Sequence, residues 1–260
     1  MREEKVSIDN TYINVIRFGR GDRNLVILPG ISLVELEGIG KVIENAYQLF
    51  AEKYTVYLLE RKKDLPEGYS TEEMAEDAYS VLTGLGVEKT SIYGVSHGGM
   101  MAIYIAGKHP DFVEKLVLCS TCMKNTEMMD SNFKCWYDLA SKHDVQSLNR
   151  DFFKKIYSDS FLKENEKALK AAERFGNAEN CERFKVLLKA CKDFDATQVV
   201  KSIECPALVL GDENDRVTGA QGSRELAEAL DCQIYMYTDF GHAVYDESPD
   251  IKNKGFEFLG

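Results

Sequence analysis

The sequence predicts an α/β fold, a mostly parallel central sheet flanked by helices and interrupted by one helical insertion. Three observations carry this. Across residues 54–119, short runs rich in β-branched and aromatic residues alternate with helix-patterned stretches, as parallel strands joined by crossover helices require. The alternation returns after residue 206. Between the two, residues 122–203 are helix-patterned, rich in Lys and Glu, and without a clear strand. The predicted organisation is therefore a core domain of residues 1–121 and 204–260 with an inserted helical cap at 122–203.

Residues 5–18 alternate apolar and polar about the turn-prone pair Asp9-Asn10 and read as an antiparallel hairpin. Residues 25–28 form a short buried-type strand stopped by Pro29-Gly30. A helical stretch near 40–52 precedes a strand at 54–59, where β-branched and aromatic side chains favour a pleated surface. Ser70-Thr71-Glu72-Glu73 has the form of a capping box, Ser70 accepting from the Glu73 amide and Glu73 reaching back, and it opens a helix towards Leu82. A strand at 90–95, a helix at 98–108 closed before Pro110, and a strand at 113–119 follow. Beyond the insertion come a strand at 207–210, a helix at 223–230, a strand at 233–237 and a last helix after Pro249.

With 260 residues, 44% of them hydrophobic and 29% charged, the chain has the make-up of a soluble globular protein. A net charge of −11 repels phosphate backbones and anionic headgroups, and no Lys/Arg cluster interleaved with aromatics offsets it. Nucleic-acid and membrane partners are thus disfavoured. The opening residues hold no apolar run like that of a signal sequence, and nothing later approaches the roughly 18 apolar residues of a membrane span, which points to the cytoplasm. Seven scattered cysteines, an odd number, suggest reduced thiols. Only Cys119 and Cys122 have the spacing of a redox or metal pair. Lacking further ligands at matching spacing, they read as small apolar thiols at a strand end, and no metal is expected.

Gly94-Val95-Ser96-His97-Gly98 ends the strand at 90–95 and opens the next helix. A serine on so tight a turn takes a strained backbone conformation, and side chains two positions to either side would clash, which accounts for the glycines. Ser96 then stands above a helix N-terminus, where free amides favour the charge that develops on a tetrahedral intermediate. The amide of His97 is one expected donor, and that of Ile31, just after VILPG, the second.

A serine hydroxyl needs a base to take its proton. Of the four histidines, His242 follows the last strand and so reaches the same sheet edge as Ser96. His109 ends a helix, His143 lies in the insertion, and His97 adjoins the serine, where its side chain is expected to line the pocket. The third member is a carboxylate after the penultimate strand, where Asp212, Glu213 and Asp215 all stand. Asp215 is preferred, with Asp212 and Glu213 as rivals whose other role is in turns and caps.

Taken together these segments resemble the α/β-hydrolase superfamily. VILPG matches its oxyanion loop, GVSHGG its nucleophile elbow, ECPALVLGDENDRV its acid strand and GHAVYDESP its histidine loop, in the family's chain order Ser96, Asp215, His242. The likeness runs from the hairpin to the last helix, with the insertion as the family's variable cap. Pro29-Gly30 stands where the family usually has His-Gly, and the proline often found soon after the acid is absent.

The resemblance implies a serine hydrolase that cleaves a carboxylic ester or related acyl bond of a small molecule through an acyl-serine intermediate, without metal or cofactor. Members with the same triad also include C–C bond hydrolases, peptidases and acyltransferases, whereas haloalkane dehalogenases and epoxide hydrolases carry Asp where Ser96 stands. A ligand sensor that keeps the pocket but turns over slowly is the reading from another class. The insertion holds the only tryptophan, Trp136, near Tyr137, Phe133, Phe152, Phe153, Tyr157 and Phe161. A cap over Ser96 must roof the pocket, so Trp136 and Tyr137 join the His97 side chain as expected substrate contacts, and an apolar acyl group is the expected ligand.

Overall fold

The computed structural model describes all residues, Met1–Gly260. Strands β1 (Arg2–Ile8) and β2 (Thr11–Gly19) form the predicted hairpin, and both extend beyond the stretch in which apolar and polar residues alternate. Asp9 turns the corner at φ 49°, a left-handed position that Asp tolerates better than most residues. Next come β3 (Arg23–Leu28), β4 (Tyr54–Lys62), β5 (Thr90–Val95), β6 (Val113–Cys119), β7 (Ala207–Asp212) and β8 (Gln233–Tyr237). They build one eight-stranded sheet in the order β1-β2-β4-β3-β5-β6-β7-β8. Every pairing from β4 across to β8 is parallel, while β2 meets both β1 and β4 antiparallel. The fold class is the one the sequence predicts.

Alternation along the central strands separates two apolar layers, because successive side chains leave a strand on opposite faces. Val26, Leu28 and Ile92 join the larger layer, and Leu25, Ile27, Tyr93 and Val95 the smaller. Helices α1 (Gly40–Ala46), α2 (Thr71–Gly84) and α3 (His97–Lys108) cover the sheet between these strands: Ile43 of α1 enters the smaller layer, Met74 and Ala78 of α2 and Ile103 of α3 the larger. A strand covered on both faces must be apolar throughout, and β5 is buried along its whole length. So is α3 from His97 through Ala106. The capping box of α2 forms as predicted, with Glu73 N donating to Ser70 Oγ at 3.2 Å and Ser70 N to Glu73 Oε2 at 2.8 Å.

Two boundaries differ from expectation. The helix expected over 40–52 ends at Ala46 and gives way to a 3₁₀ turn at Gln48–Phe50. Strand β4 runs on past Leu59 and buries Glu60, Arg61 and Lys62, charged residues that are tolerated there because each meets a partner; Lys62 Nζ, for instance, lies 3.0 Å from Asp77 Oδ2.

Between β6 and β7 stand five helices: α4 (Glu127–Ser141), α5 (Val145–Ile156), α6 (Asp159–Glu164), α7 (Glu166–Ala172) and α8 (Ala178–Lys192). Thr126, Asp144, Ser158 and Asn177 cap the N-termini of α4, α5, α6 and α8 with their side chains. The insertion carries its own aromatic packing, with Trp136 centred 5.7 Å from Phe133 and 5.0 Å from Phe152. Its two ends meet through backbone bonds, Asn125 N to Phe194 O at 3.0 Å and Ala196 N to Met123 O at 2.8 Å. After β7 the chain closes with α9 (Ala220–Ala229), α10 (Val244–Glu247) and α11 (Ile251–Leu259). Cys119 and Cys122 are buried and unpaired, and burial pushes the Cys119 thiol up to about 12, so it stays protonated. No helix is long and apolar enough to cross a membrane.

Candidate active site

Ser96 links β5 to α3 with φ 51° and ψ −121°, a conformation costly for any residue with a side chain. Surrounding bonds enforce it. Ser96 N donates to Cys119 O at 2.8 Å, while Ser96 O accepts from Thr121 Oγ1 and from Gly99 N, each at 2.8 Å. The glycines at 94 and 98 are required by close backbone approach: a Cβ on Gly98 would lie 2.0 Å from Leu28 O, and one on Gly94 would lie 2.7 Å from Gly99 Cα. The excluded volume thus belongs to the end of β3 and to α3.

The structure brings Ser96, His242 and Asp215 together, all three buried. His242 Nε2 lies 3.0 Å from Ser96 Oγ, and its Nδ1 lies 2.9 Å from Asp215 Oδ2. An ionised carboxylate can only accept, so Nδ1 carries the proton and Nε2 is left to accept from the serine. Asp215 also accepts from Val217 N at 2.7 Å, Thr218 N at 3.0 Å and Thr218 Oγ1 at 2.7 Å. Burial alone would raise its carboxyl, but the facing His242 together with the Thr218 and Val217 donors outweighs that and holds it below the ordinary range.

The two rival carboxylates point elsewhere. Asp212 accepts from Asn214 N at 2.7 Å and from Phe240 N at 3.1 Å, which ties the end of β7 to the loop that precedes His242. Glu213 pairs with Arg224.

Gly30 and Ile31 come up against the serine: a Cβ on Gly30 would lie 3.3 Å from that of Ser96. Ile31, Ser96 and His242 line one small cavity, whose far wall is Phe133 and Trp136 of α4 with Phe152 and Ile156 of α5. Its volume of about 20 Å³ is room for roughly one water.

Two expected substrate contacts lie elsewhere. The His97 ring turns away from the cavity, because a buried imidazole needs partners and finds them in Arg61 Nη2, 3.0 Å from Nδ1, and Thr71 Oγ1, 3.1 Å from Nε2. Burial and Arg61 together hold His97 well below its usual value, hence neutral. Tyr137 follows Trp136 by one residue on α4, so it points about 100° away. It lines an outer cleft of about 520 Å³ with Lys63, Glu179 and Arg183, and Lys185 Nζ lies 5.8 Å from its ring centre. Arg61, which sequence reasoning passed over, donates to the carbonyls of Pro29 at 2.6 Å and Gly30 at 3.0 Å. The only signal for it was a run of charged residues, Glu60 to Asp64, directly after an apolar strand.

A family model for the alpha/beta hydrolase fold matches residues 53–249. The chain belongs to that family. This α/β hydrolase is 27% identical over 200 residues to a putative carbamate hydrolase, RutD, of Rhizobium rhizogenes, which covers 75% of this chain and 76% of that one. It is 22% identical over 221 residues to the serine hydrolase BPHL of Homo sapiens, covering 81% of this chain and 69% of that one. Among solved structures, the enol-lactonase from Burkholderia xenovorans LB400 superposes with a TM-score of 0.85 at 16% identity, covering 98% of this chain and 99% of that one.

In this hydrolase the loops bearing His242 and Asp215 are also fastened to the joint between α5 and α6. Ala243 N donates to Ile156 O at 2.7 Å, Ser158 N donates to Glu247 Oε1 at 3.0 Å, and Arg216 Nη1 pairs with Asp159 at 3.1 Å.

Proposed function

We propose that this α/β hydrolase cleaves a carboxylic ester or related acyl bond of a small molecule through an acyl-serine intermediate. The observation that carries this is the continuous path from Ser96 Oγ through His242 to Asp215, at 3.0 and 2.9 Å, beside the start of α3. His242 Nε2 takes the serine proton as Oγ attacks the carbonyl carbon, and Asp215 stabilises the imidazolium that results. The amides of Ile31 and His97 donate to the oxyanion. The imidazolium then protonates the departing alcohol, and water, activated by the same histidine, releases the acid and restores the serine.

Residues 122–203 act as a cap: the backbone bonds that join the ends of this insertion, and the α4 and α5 side chains facing Ser96, support that division. The wall of Phe133, Trp136, Phe152 and Ile156 offers no charge to a ligand, which favours an uncharged, largely apolar acyl part. Names among the relatives refer to a carbamate and an enol-lactone, both with a carbonyl open to the same attack. Seven free thiols fit a reducing compartment such as the cytoplasm.

A fluorophosphonate probe should label Ser96 alone, with label and ester turnover both absent from Ser96→Ala. An adduct at another residue, or labelling undiminished in the variant, would displace Ser96 as nucleophile. One equivalent of acyl release without further turnover would mark a slow sensor instead.

A further inference from the structure

Arg61 is the penultimate residue of β4, and its side chain is only 2% exposed. A buried guanidinium is costly unless its donors are met, yet the neighbouring carboxylate of Glu60 stands as far as 3.5 Å away. Two main-chain carbonyls and one ring nitrogen take protons from its terminal nitrogens, while Nε finds no partner: Nη1 donates to Gly30 O at 3.0 Å, and Nη2 donates to Pro29 O at 2.6 Å and to His97 Nδ1 at 3.0 Å. The carbonyls belong to the loop that presents the Ile31 amide. The ring belongs to the residue that presents the other donor. One side chain is therefore bonded to both segments from which an oxyanion at Ser96 would be met.

The bonds also fix direction. No peptide bond is cis, so the Ile31 N–H points away from the Gly30 carbonyl of the same planar unit. Gly30, Ile31 and Ser96 border the cavity, whereas Arg61 lies outside it. Holding the carbonyl towards Arg61 turns the amide towards the cavity. His97 is steadied from its far side: its Nε2–H donates to Thr71 Oγ1 at 3.1 Å, and that hydroxyl donates to Ala190 O of α8, also at 3.1 Å. Since the Thr71 proton is committed to Ala190, the tautomer is set and Nδ1 is free to accept from Arg61.

We propose that Arg61 is the positioning residue of the oxyanion hole, its guanidinium setting the spacing and aim of the Ile31 and His97 amides. This role rests on the reading of Ser96 as nucleophile and concerns how the charge formed on attack is stabilised. Misaimed donors weaken the transition state and leave ground-state binding nearly as it was.

The test is steady-state kinetics on one activated ester, with inhibition by an alkyl boronic acid, whose tetrahedral adduct on serine places an oxygen in the hole. Arg61→Lys keeps the charge but not the fork, and should lower kcat about 10²-fold with KM within about threefold, boronate affinity falling in step. His97→Leu keeps the amide and removes the acceptor, so kcat should fall at least about tenfold, and His97→Gln, which restores an acceptor oxygen, should recover most of that. A folded Arg61→Lys with wild-type kcat and boronate affinity overturns the role, as does a loss confined to KM with boronate binding intact. Should Arg61→Lys not fold, wild-type kcat in His97→Leu overturns it equally. Ser96→Ala is run beside them: turnover that survives this change sinks the site itself, a result distinct from Ser96-dependent turnover that is indifferent to Arg61.

Discussion

Replacing Asp215 by asparagine exchanges one carboxylate oxygen for NH₂ in a place where both oxygens are occupied. Oδ1 accepts from the amides of Val217 and Thr218 at 2.7 and 3.0 Å, and Oδ2 accepts from Thr218 Oγ1 at 2.7 Å and faces His242 Nδ1 at 2.9 Å. The single acceptor of asparagine must stay with the two amides, because the other orientation would set NH₂ against two N–H groups. NH₂ then donates to Nδ1 and drives the imidazole proton onto Nε2, facing Ser96, so the base is presented with its proton already in place. The expected loss is about 10³ to 10⁴ in kcat, roughly 4 to 5.5 kcal/mol at the transition state.

Asp212→Asn is the control. It gives up one of the bonds to Asn214 N and Phe240 N but also removes a buried charge, and these oppose one another. Stability should change by about 1 kcal/mol and most activity should remain. Rates on one ester, with thermal melts by circular dichroism, separate the cases. A folded but crippled Asp212→Asn beside a nearly active Asp215→Asn would refute the reasoning.

The same two carboxyls should give stability opposite dependences on pH. Asp215 is held below its ordinary value, so its contribution is full above about pH 4 and fades as the pH falls further; Asp212 is raised by burial, so its contribution is present below about pH 4 and is lost as the pH rises. Urea unfolding from about pH 3 to 6 should then show wild type gaining on Asp215→Asn and losing ground to Asp212→Asn, and a slope of the opposite sign for either variant would contradict the account of that carboxyl. Gly98→Ala should cost more than about 3 kcal/mol, since its Cβ would meet the Leu28 carbonyl, whereas Gly84→Ala, with nothing within 4 Å, should stay within about 1 kcal/mol; equal losses in urea titrations would remove the steric account. Trp136, the only tryptophan, walls the cavity and donates to Asp151 Oδ2 at 2.8 Å, so an unreactive substrate analogue bound to Ser96→Ala should alter its emission. Binding proven by calorimetry with an unchanged spectrum would place the ligand elsewhere.

Strands, helices and the elbow were legible because burial on both faces leaves β5 and α3 no choice but apolar residues, and because the glycines at 94 and 98 mark a turn that tolerates no side chain. Direction was less legible than identity. Trp136 and Tyr137 differ by one position, and their composition does not say which one a helix rotates inward. His97 adjoins the serine in sequence, but the first turn of α3 swings its ring towards Arg61 and Thr71. Glu60, Arg61 and Lys62 look like the end of a strand because the acceptors that make their burial tolerable, among them the Pro29 and Gly30 carbonyls, lie some thirty residues away in the chain.

The attachment of residues 156–159 bears on how helices are exchanged between relatives. At 123–125 and 194–196 the two ends of the insertion meet each other through backbone bonds, which almost any substitute supplies. The second seam adds side chains to the main-chain bond of Ala243 to Ile156: Ser158 Oγ answers Glu247 and Asp159 answers Arg216, so a chimera built by replacing α4 to α8 wholesale would leave both partners unanswered and the loop of His242 less firmly fastened. A graft that keeps 156–159 and replaces the helices on either side would give new walls to the cavity and leave the imidazole where it stands.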